Sequence, residues 1–252
     1  MKPKERQQKI ADIIRREGQA TVDQLVNIFK SSPETIRRDL SALASSGKVL
    51  KIHGGAKCTN IQGEGRFQLR LRKNVSAKRV IAERAVRLIS EGDTLFVNAG
   101  STTVIFAEEL MKIANLTVVT NSVDIAKILG SSKNGTKVYL LGGEYSQDNH
   151  ETVGAMVIAQ LQQFYAQHVI LPIGYIHSTV GVTDFNAADV SVSQAMLGQA
   201  ENSILLADSS KFEQTAPFVV GGLDQFDQLI CEKAPEGELS KALADNNVEV
   251  LI

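Results

Sequence analysis

This chain is short of the residues that would suggest several common readings. It has two cysteines in 252 residues, Cys58 and Cys231, too far apart for any metal-binding or redox spacing. A disulfide framework and a cysteine-based zinc site are therefore excluded, and both thiols read as incidental and reduced. No apolar run approaches the ~18 residues of a membrane span. Behind Met1-Lys-Pro-Lys-Glu-Arg6 there is no apolar segment of the kind a secretory signal requires. Internal repeats and low-complexity tracts are also missing. The expectation is a cytoplasmic protein that neither enters nor crosses a membrane and carries no metal and no cofactor.

Net charge is nearly absent too, at −1, but that total conceals a division. Residues 1–80 hold 18 Lys/Arg against 7 Asp/Glu, a net of +11, and residues 81–252 hold 9 against 21, a net of −12. A basic front suits a polyanion partner, and an acidic remainder repels one. The 43% apolar content is enough for a sizeable core and argues against disorder.

In the basic part, Ile10, Ile13 and Ile14 follow helical spacing and Gly18 supplies a stop. A second helix fits Val22 to Phe29, with Thr21 as its cap and Val22, Leu25, Val26 and Phe29 inward. A third opens at Ser32-Pro-Glu-Thr-Ile-Arg-Arg-Asp-Leu40. Ser32 caps the first amides, and Pro33 stands at the first position, where a missing N–H costs nothing. Ile36, Leu40 and Leu43 form the buried stripe. Glu34, Arg38 and Ser41 centre the opposite face, with Thr35 and Arg37 on its flanks. After Ser45-Ser46-Gly47 come Val49-Leu-Lys-Ile-His53, two glycines and Ala56-Lys57, which read as a two-stranded wing.

This is a winged helix-turn-helix that places its third helix in the major groove of double-stranded DNA. Ser32, Glu34, Thr35, Arg37, Arg38 and Ser41 are the candidate groove residues; Lys48, Lys51, His53 and Lys57 face the backbone from the wing. Arginine pairs with guanine or phosphate, and lysine adds salt-sensitive phosphate contacts. Asp39, unfavourable beside DNA, is expected to pair with a cation such as Arg6 or Arg37 and orient it. Arg37 or Arg38 alone would fit an ordinary solvated face; the whole arrangement does not.

The pattern Arg6-x3-Ile10-x3-Ile14, then Ser32-x2-Thr35-Ile36-Arg37-Arg38-Asp39-Leu40 and His53-Gly54-Gly55-Ala56, resembles the DeoR family of bacterial repressors. The resemblance implies that Thr35, Arg37 and Arg38 lie on the DNA-reading helix.

Residues 1–57 are thus assigned to DNA binding, 58–74 to a linker and 75–252 to a second domain. Thr59–Glu64 has no periodicity. Phe67 to Asn74 is basic and partly apolar, and either docks on the second domain or tracks phosphate. From 94 onward, strand-length apolar runs alternate with helical patterns. Continuous apolar strands imply burial on both faces, hence an α/β fold with a mainly parallel sheet. In such sheets ligands bind beyond the carboxyl ends of the strands.

The expected effector residues lie there: Asn98, Gly100, Ser101, Thr102 and Thr103 after the first strand, Asn121 after the second, and Gly142, Gly143 and Glu144 after the third. Tyr175, Asp184 and Lys211 complete the set. A glycine and hydroxyls at a helix start suit a phosphate or carboxylate, though they are ordinary caps as well.

This half also resembles the sensor domain of the same family, through Arg70-x3-Asn74-x3-Lys78, Gly100-Ser101-Thr102-Thr103, Val119-Thr120-Asn121, Gly142-Gly143, Gly181-Val-Thr183 and Ala207-Asp208-Ser209-Ser210-Lys211-Phe212. The resemblance implies a fold like ribose-5-phosphate isomerase and CoA transferases, a phosphorylated sugar or related metabolite as small-molecule effector, and a homodimer or higher homo-oligomer. Three departures stand out. Asn98 replaces the usual Asp, Pro172-Ile-Gly-Tyr-Ile-His177 replaces a small glycine loop, and Ser193-Gln194 lacks a cation. The last weakens the expectation of a strongly anionic effector, and Tyr175 and His177 would suit a less charged one. The functional expectation is a repressor of a sugar or polyol catabolic operon. The rival is a sugar-phosphate isomerase with a DNA-binding appendage, for which Asp184, Glu144, Asp208 and Lys211 would supply acid, base and electrophile.

Overall fold

A computed structural model describes residues 3–17, 19–46, 48–58, 67–147 and 149–252, with the backbone alone at 15–17, 57 and 58. The chain divides into two compact units, Met1–Arg66 and Phe67–Ile252.

The first unit runs α1 (Pro3–Glu17), β1 (Gln19–Thr21), α2 (Val22–Phe29), α3 (Pro33–Ser45), β2 (Val49–Ile52) and β3 (Gly55–Cys58). Ile10, Ile14, Val22, Leu25, Ile36, Leu40 and Leu43 are buried together, so the three apolar stripes read from spacing meet in one core. Helix α2 starts with a reciprocal cap: Thr21 accepts from the Gln24 amide while the Gln24 side chain accepts from the Thr21 amide. Lys30, at φ 49°, turns the chain left-handed after α2 and sets up α3.

The wing differs from expectation in having a third strand, since β1 pairs antiparallel with β3 to give the order β1-β3-β2. Two glycines permit this. Gly54 takes φ 77° in the turn, and a Cβ on Gly55 would stand 2.3 Å from the Ala20 carbonyl oxygen. Gly18, Gly47 and the Thr59–Glu64 connector lie outside the described residues.

The second unit contains α4 (Phe67–Arg72), α5 (Val75–Ala85), β4 (Thr94–Val97), α6 (Ser101–Leu110), β5 (Thr117–Thr120), α7 (Val123–Gly130), β6 (Lys137–Leu140), β7 (Glu144–Ser146), β8 (Glu151–Val153), α8 (Ala155–Leu161), β9 (Ala166–Pro172), β10 (Tyr175–His177), β11 (Gly181–Asp184), α9 (Ala187–Leu197), β12 (Ala200–Leu206), β13 (Phe218–Gly221), β14 (Gln228–Ile230), α10 (Gly237–Asp245) and β15 (Glu249–Leu251). Seven strands form one parallel sheet in the order β15-β14-β12-β9-β4-β5-β6.

Side-chain alternation explains the continuous apolar runs. Leu95 and Val97 point into the layer of α5, α6 and α7, whereas Phe96 between them points into that of α8, α9 and α10. Burying a side chain such as Phe96 contributes roughly 1.5–3 kcal/mol.

Two expectations need correction. The stretch 67–74, assigned to the linker, begins with helix α4, and Phe67 is 2% exposed in the core of the second unit. Phe67, with Leu71 packed against the same core, docks this basic segment. Tyr175 and Asp184, expected beyond strand ends, lie in strands β10 and β11, which with β13 form a separate antiparallel sheet, β10-β11-β13. The hairpin β7-β8 has strands too short and polar to show a period. Among the described residues no helix is long and apolar enough to cross a membrane.

Candidate nucleic-acid interface and sensor site

On α3 the inward and outward faces divide as the spacing requires. Ile36, Leu40 and Leu43 are buried, and Glu34, Arg37 and Arg38 are exposed. Asp39 is also buried, and its carboxylate accepts from Arg6 Nε at 2.5 Å and Gln7 Nε2 at 2.9 Å. Turned inward, Asp39 ties α3 to α1 and removes its charge from the arginine face. Arg37 and Arg38 make no ion pair among the described residues.

Ser32 and Thr35 are committed to the helix cap: the Thr35 amide donates to Ser32 Oγ and the two hydroxyls lie 2.9 Å apart. Ser41 donates to the Arg37 carbonyl and accepts from Lys51 Nζ at 2.9 Å, which pins the wing lysine against α3. Lys48 and His53 are exposed; the Lys57 side chain lies outside those described.

In the second unit every strand of the large sheet ends on the same edge. The order reverses between β4 and β9, because the chain builds outward from β4 to β6 and then returns to β4's other side. That is the switch point at which a parallel sheet opens a crevice. The loop Asn98–Gly100 lies there and is held from both sides. Asn98 Nδ2 donates to Ser193 Oγ at 2.7 Å, and the Ala99 amide donates to Asn121 Oδ1 at 3.1 Å. A Cβ on Gly100 would meet the Pro172 ring at 2.4 Å, so only glycine allows this approach to β9.

Helix α6 starts immediately after. The Thr103 hydroxyl donates back to the carbonyls of Asn98 and Gly100, which makes it a structural cap. Ser101 and Thr102 are buried at the first turn, where helix amides and dipole favour an anion.

Lys78 on α5 reaches the same turn. It is 4% exposed and donates from Nζ to Ser101 Oγ at 2.8 Å and to the Arg70 carbonyl. Arg70 stacks over Phe67 and donates to Asn149 Oδ1, and Asn149 Nδ2 donates to Asp189 Oδ2 at 2.8 Å. Glu151 completes this cluster. Its Oε2 accepts from Asn121 Nδ2 at 3.1 Å, and Asn149 and Asp189 also meet its carboxyl. Burial, and then the neighbouring Asp189 carboxylate, push the Glu151 carboxyl up to about 8.

Thus Asn98, Gly100, Ser101, Thr102, Thr103 and Asn121 come together. Tyr175, Asp184 and Lys211 fall beyond β9 instead. Lys211 Nζ stands 5.4 Å from the Tyr175 ring centre, and the Asp184 carboxylate accepts the Phe185 amide. Asp208 caps its own turn and accepts from Asn74 at 2.9 Å. His177 lies 3.4 Å from Glu213, its ring occupied by that partner and by Thr179.

The third predicted loop is not part of either group. It ends edge strand β6, two strands from β4 and so about 10 Å away. Gln160 occupies both backbone groups of Gly142, a Cβ on Gly143 would lie 2.7 Å from the Val153 carbonyl oxygen, and Glu144 is exposed.

Sequence reasoning missed Asn149, Glu151 and Asp189, and it quoted Arg70, Lys78 and Ser193 without placing them among the effector residues. Helical spacing offered no signal, because Arg70 lies in the last turn of α4, Lys78 lies in α5, and left-handed Asn74 between them turns to Asp208. The cation missing at Ser193-Gln194 has a counterpart in Lys78, which brings a buried positive charge to the Ser101 turn.

Comparisons with known proteins agree with both units. Residues 6–62 match the DeoR-like helix-turn-helix domain, and residues 73–233 match the DeoR C terminal sensor domain. The glycerol-3-phosphate regulon repressor of Escherichia coli is 28% identical over 250 residues, covering 99% of both chains. The HTH-type transcriptional repressor GlcR of Bacillus subtilis is 30% identical over 253 residues, covering 100% of this chain and 97% of its own. Among solved structures, ribose 5-phosphate isomerase A of Methanocaldococcus jannaschii overlaps 56% of this chain at 14% identity and a TM-score of 0.41. With a helix-turn-helix reader in front and a sensor domain behind, the chain belongs to the DeoR family of transcriptional regulators.

Proposed function

We propose that this regulator represses a sugar or polyol catabolic operon and releases its operator when a phosphorylated sugar or related metabolite occupies the β4–α6 site. The observation that carries the DNA half is the open arginine face of α3, from which Asp39 has been withdrawn by Arg6. Arg37 and Arg38 then read bases or phosphates, while Lys48, Lys51 and His53 face the backbone. Full-length relatives that are repressors support the polarity. The ligand acts by binding one of two states more tightly. Two half-sites read by a homodimer or higher oligomer would add their affinities, and the work would be done in the cytoplasm beside the DNA.

The test pairs mobility shifts on selected duplexes with a panel of phosphorylated sugars and polyols that includes glycerol 3-phosphate. Thr102→Asp puts a negative charge at the first turn of α6. It is expected to keep operator affinity and lose release; a variant that still lets go on adding the active compound removes Thr102 from the effector site.

One observation favours the enzymatic reading, namely a Glu151 carboxyl held protonated near neutrality beside Asp189, as proton-transfer chemistry requires. Assays of aldose–ketose interconversion are expected to show no turnover. Turnover abolished by Glu151→Gln would overturn the regulator-only view.

A further inference from the structure

Lys78 occupies two positions at once. From the fourth residue of α5 its ammonium reaches Ser101 in the first turn of α6 and the carbonyl of Arg70 in α4. Helix α4 is the first element of the second unit, beginning at the residue after Arg66, where the first unit closes. It is attached through buried Phe67 against His150, through Leu71 packed on the same core, through the Arg70 guanidinium on Asn149, and through this lysine. An ammonium carries three donors and accepts several partners together.

The α6 turn is not a bare helix end. Beside it lies Glu151, 1% exposed, its carboxyl set against Asp189 and one Asn121 side chain from the Ala99 amide. A buried carboxyl pair offers a donor as well as acceptors, which suits the hydroxyls of a polyhydroxylated ligand.

We propose that Lys78 is the coupling contact of the sensor: its ammonium receives the effector's anionic group at Ser101–Thr102 and holds α4 through the Arg70 carbonyl, so occupancy favours the docked α4. This rests on the anion-site reading above. The linkage follows from shared use of one group. When α4 is undocked, Lys78 loses the contact that helps fix it beside Ser101, and the ligand meets a less organised cation. Ligand and docking therefore stabilise each other. Effector binding then bears on the point where the chain passes into the sensor unit.

Hydrogen exchange on the full-length chain, with inorganic phosphate as the probe, tests this. Phosphate is expected to protect amides 100–103 and to slow exchange at amides 68–73 by roughly fivefold or more, the ordinary size of such couplings. Lys78→Arg should keep both effects and Lys78→Met should lose both. Asn149→Ala, which removes one partner of the Arg70 side chain and leaves the Lys78 contacts in place, should raise exchange in α4 without phosphate and still show the slowing with it. Protection at 100–103 with unchanged exchange at 68–73 would overturn the coupling and leave the anion site standing. No protection at 100–103 would overturn both.

Discussion

The two units put their polar side chains in opposite places. In the first, Asp39 is the one buried charged residue among those described, and Arg37, Arg38, Lys48 and Lys51 face outward. In the second, Lys78, Asn98, Ser101, Thr102, Asn121, Glu151 and Ser193 are all buried around one loop. A duplex is larger than the domain that reads it and must be met by exposed groups with loose hydration. A small metabolite can be enclosed, and enclosure makes each charge and hydrogen bond count for more. The difference teaches where each unit is fragile: the reader through its scaffold, the sensor through its protonation.

The largest effect expected from breaking that contrast is on Asp39. Asp39→Ala leaves Arg6, whose side chain is 13% exposed, without its carboxylate. Removing one partner of a buried pair costs roughly 3–5 kcal/mol, a large share of a small unit's stability. The first unit should melt earlier and operator binding should fall, with effector binding by the second unit unchanged. Separate calorimetric transitions would report it; a melt identical to wild type would show that Arg6 re-solvates freely.

Glu151 comes next. Its carboxyl is raised from 4.5 to about 8, so the folded state binds a proton that the unfolded chain has already released. Folded stability therefore declines as pH rises from about 4.5 to about 8 and levels off above that, by an amount on the order of a few kcal/mol. Glu151→Gln keeps the shape and removes the titration. The variant's melting temperature should lose this pH dependence, and by pH 8 it should exceed wild type.

The same contrast governs what could be read from the sequence. Unit 1 was legible almost residue by residue, because its stripes at Ile36, Leu40 and Leu43, and its caps at Thr21 and Ser32, depend on neighbours three or four positions away. The parallel sheet was legible because its strands are buried on both faces. The sensor cluster was legible only where a loop carries its own signal, as at Asn98–Thr103. Asn149 and Glu151 acquire meaning from Arg70 and Asn121, 79 and 30 positions away, which no local period encodes. Gly142 and Gly143 misled because glycine next to a strand end serves close packing as readily as ligand approach, and Gln160 and Val153 show the former.

The smallest expected effect sharpens the comparison most. Arg38 is exposed, so Arg38→Ala should leave the melt of unit 1 alone, unlike Asp39→Ala, and act on recognition only. Loss of a base contact costs ~1–3 kcal/mol and relaxes preference at one position of the operator, whereas loss of a phosphate contact weakens all sequences alike and lowers the salt slope by about one. Competition between specific and random duplexes over a range of salt separates the two. If the variant binds both with wild-type affinity at every salt concentration, Arg38 is a solvated side chain and the reading face of α3 is narrower than its exposure suggests.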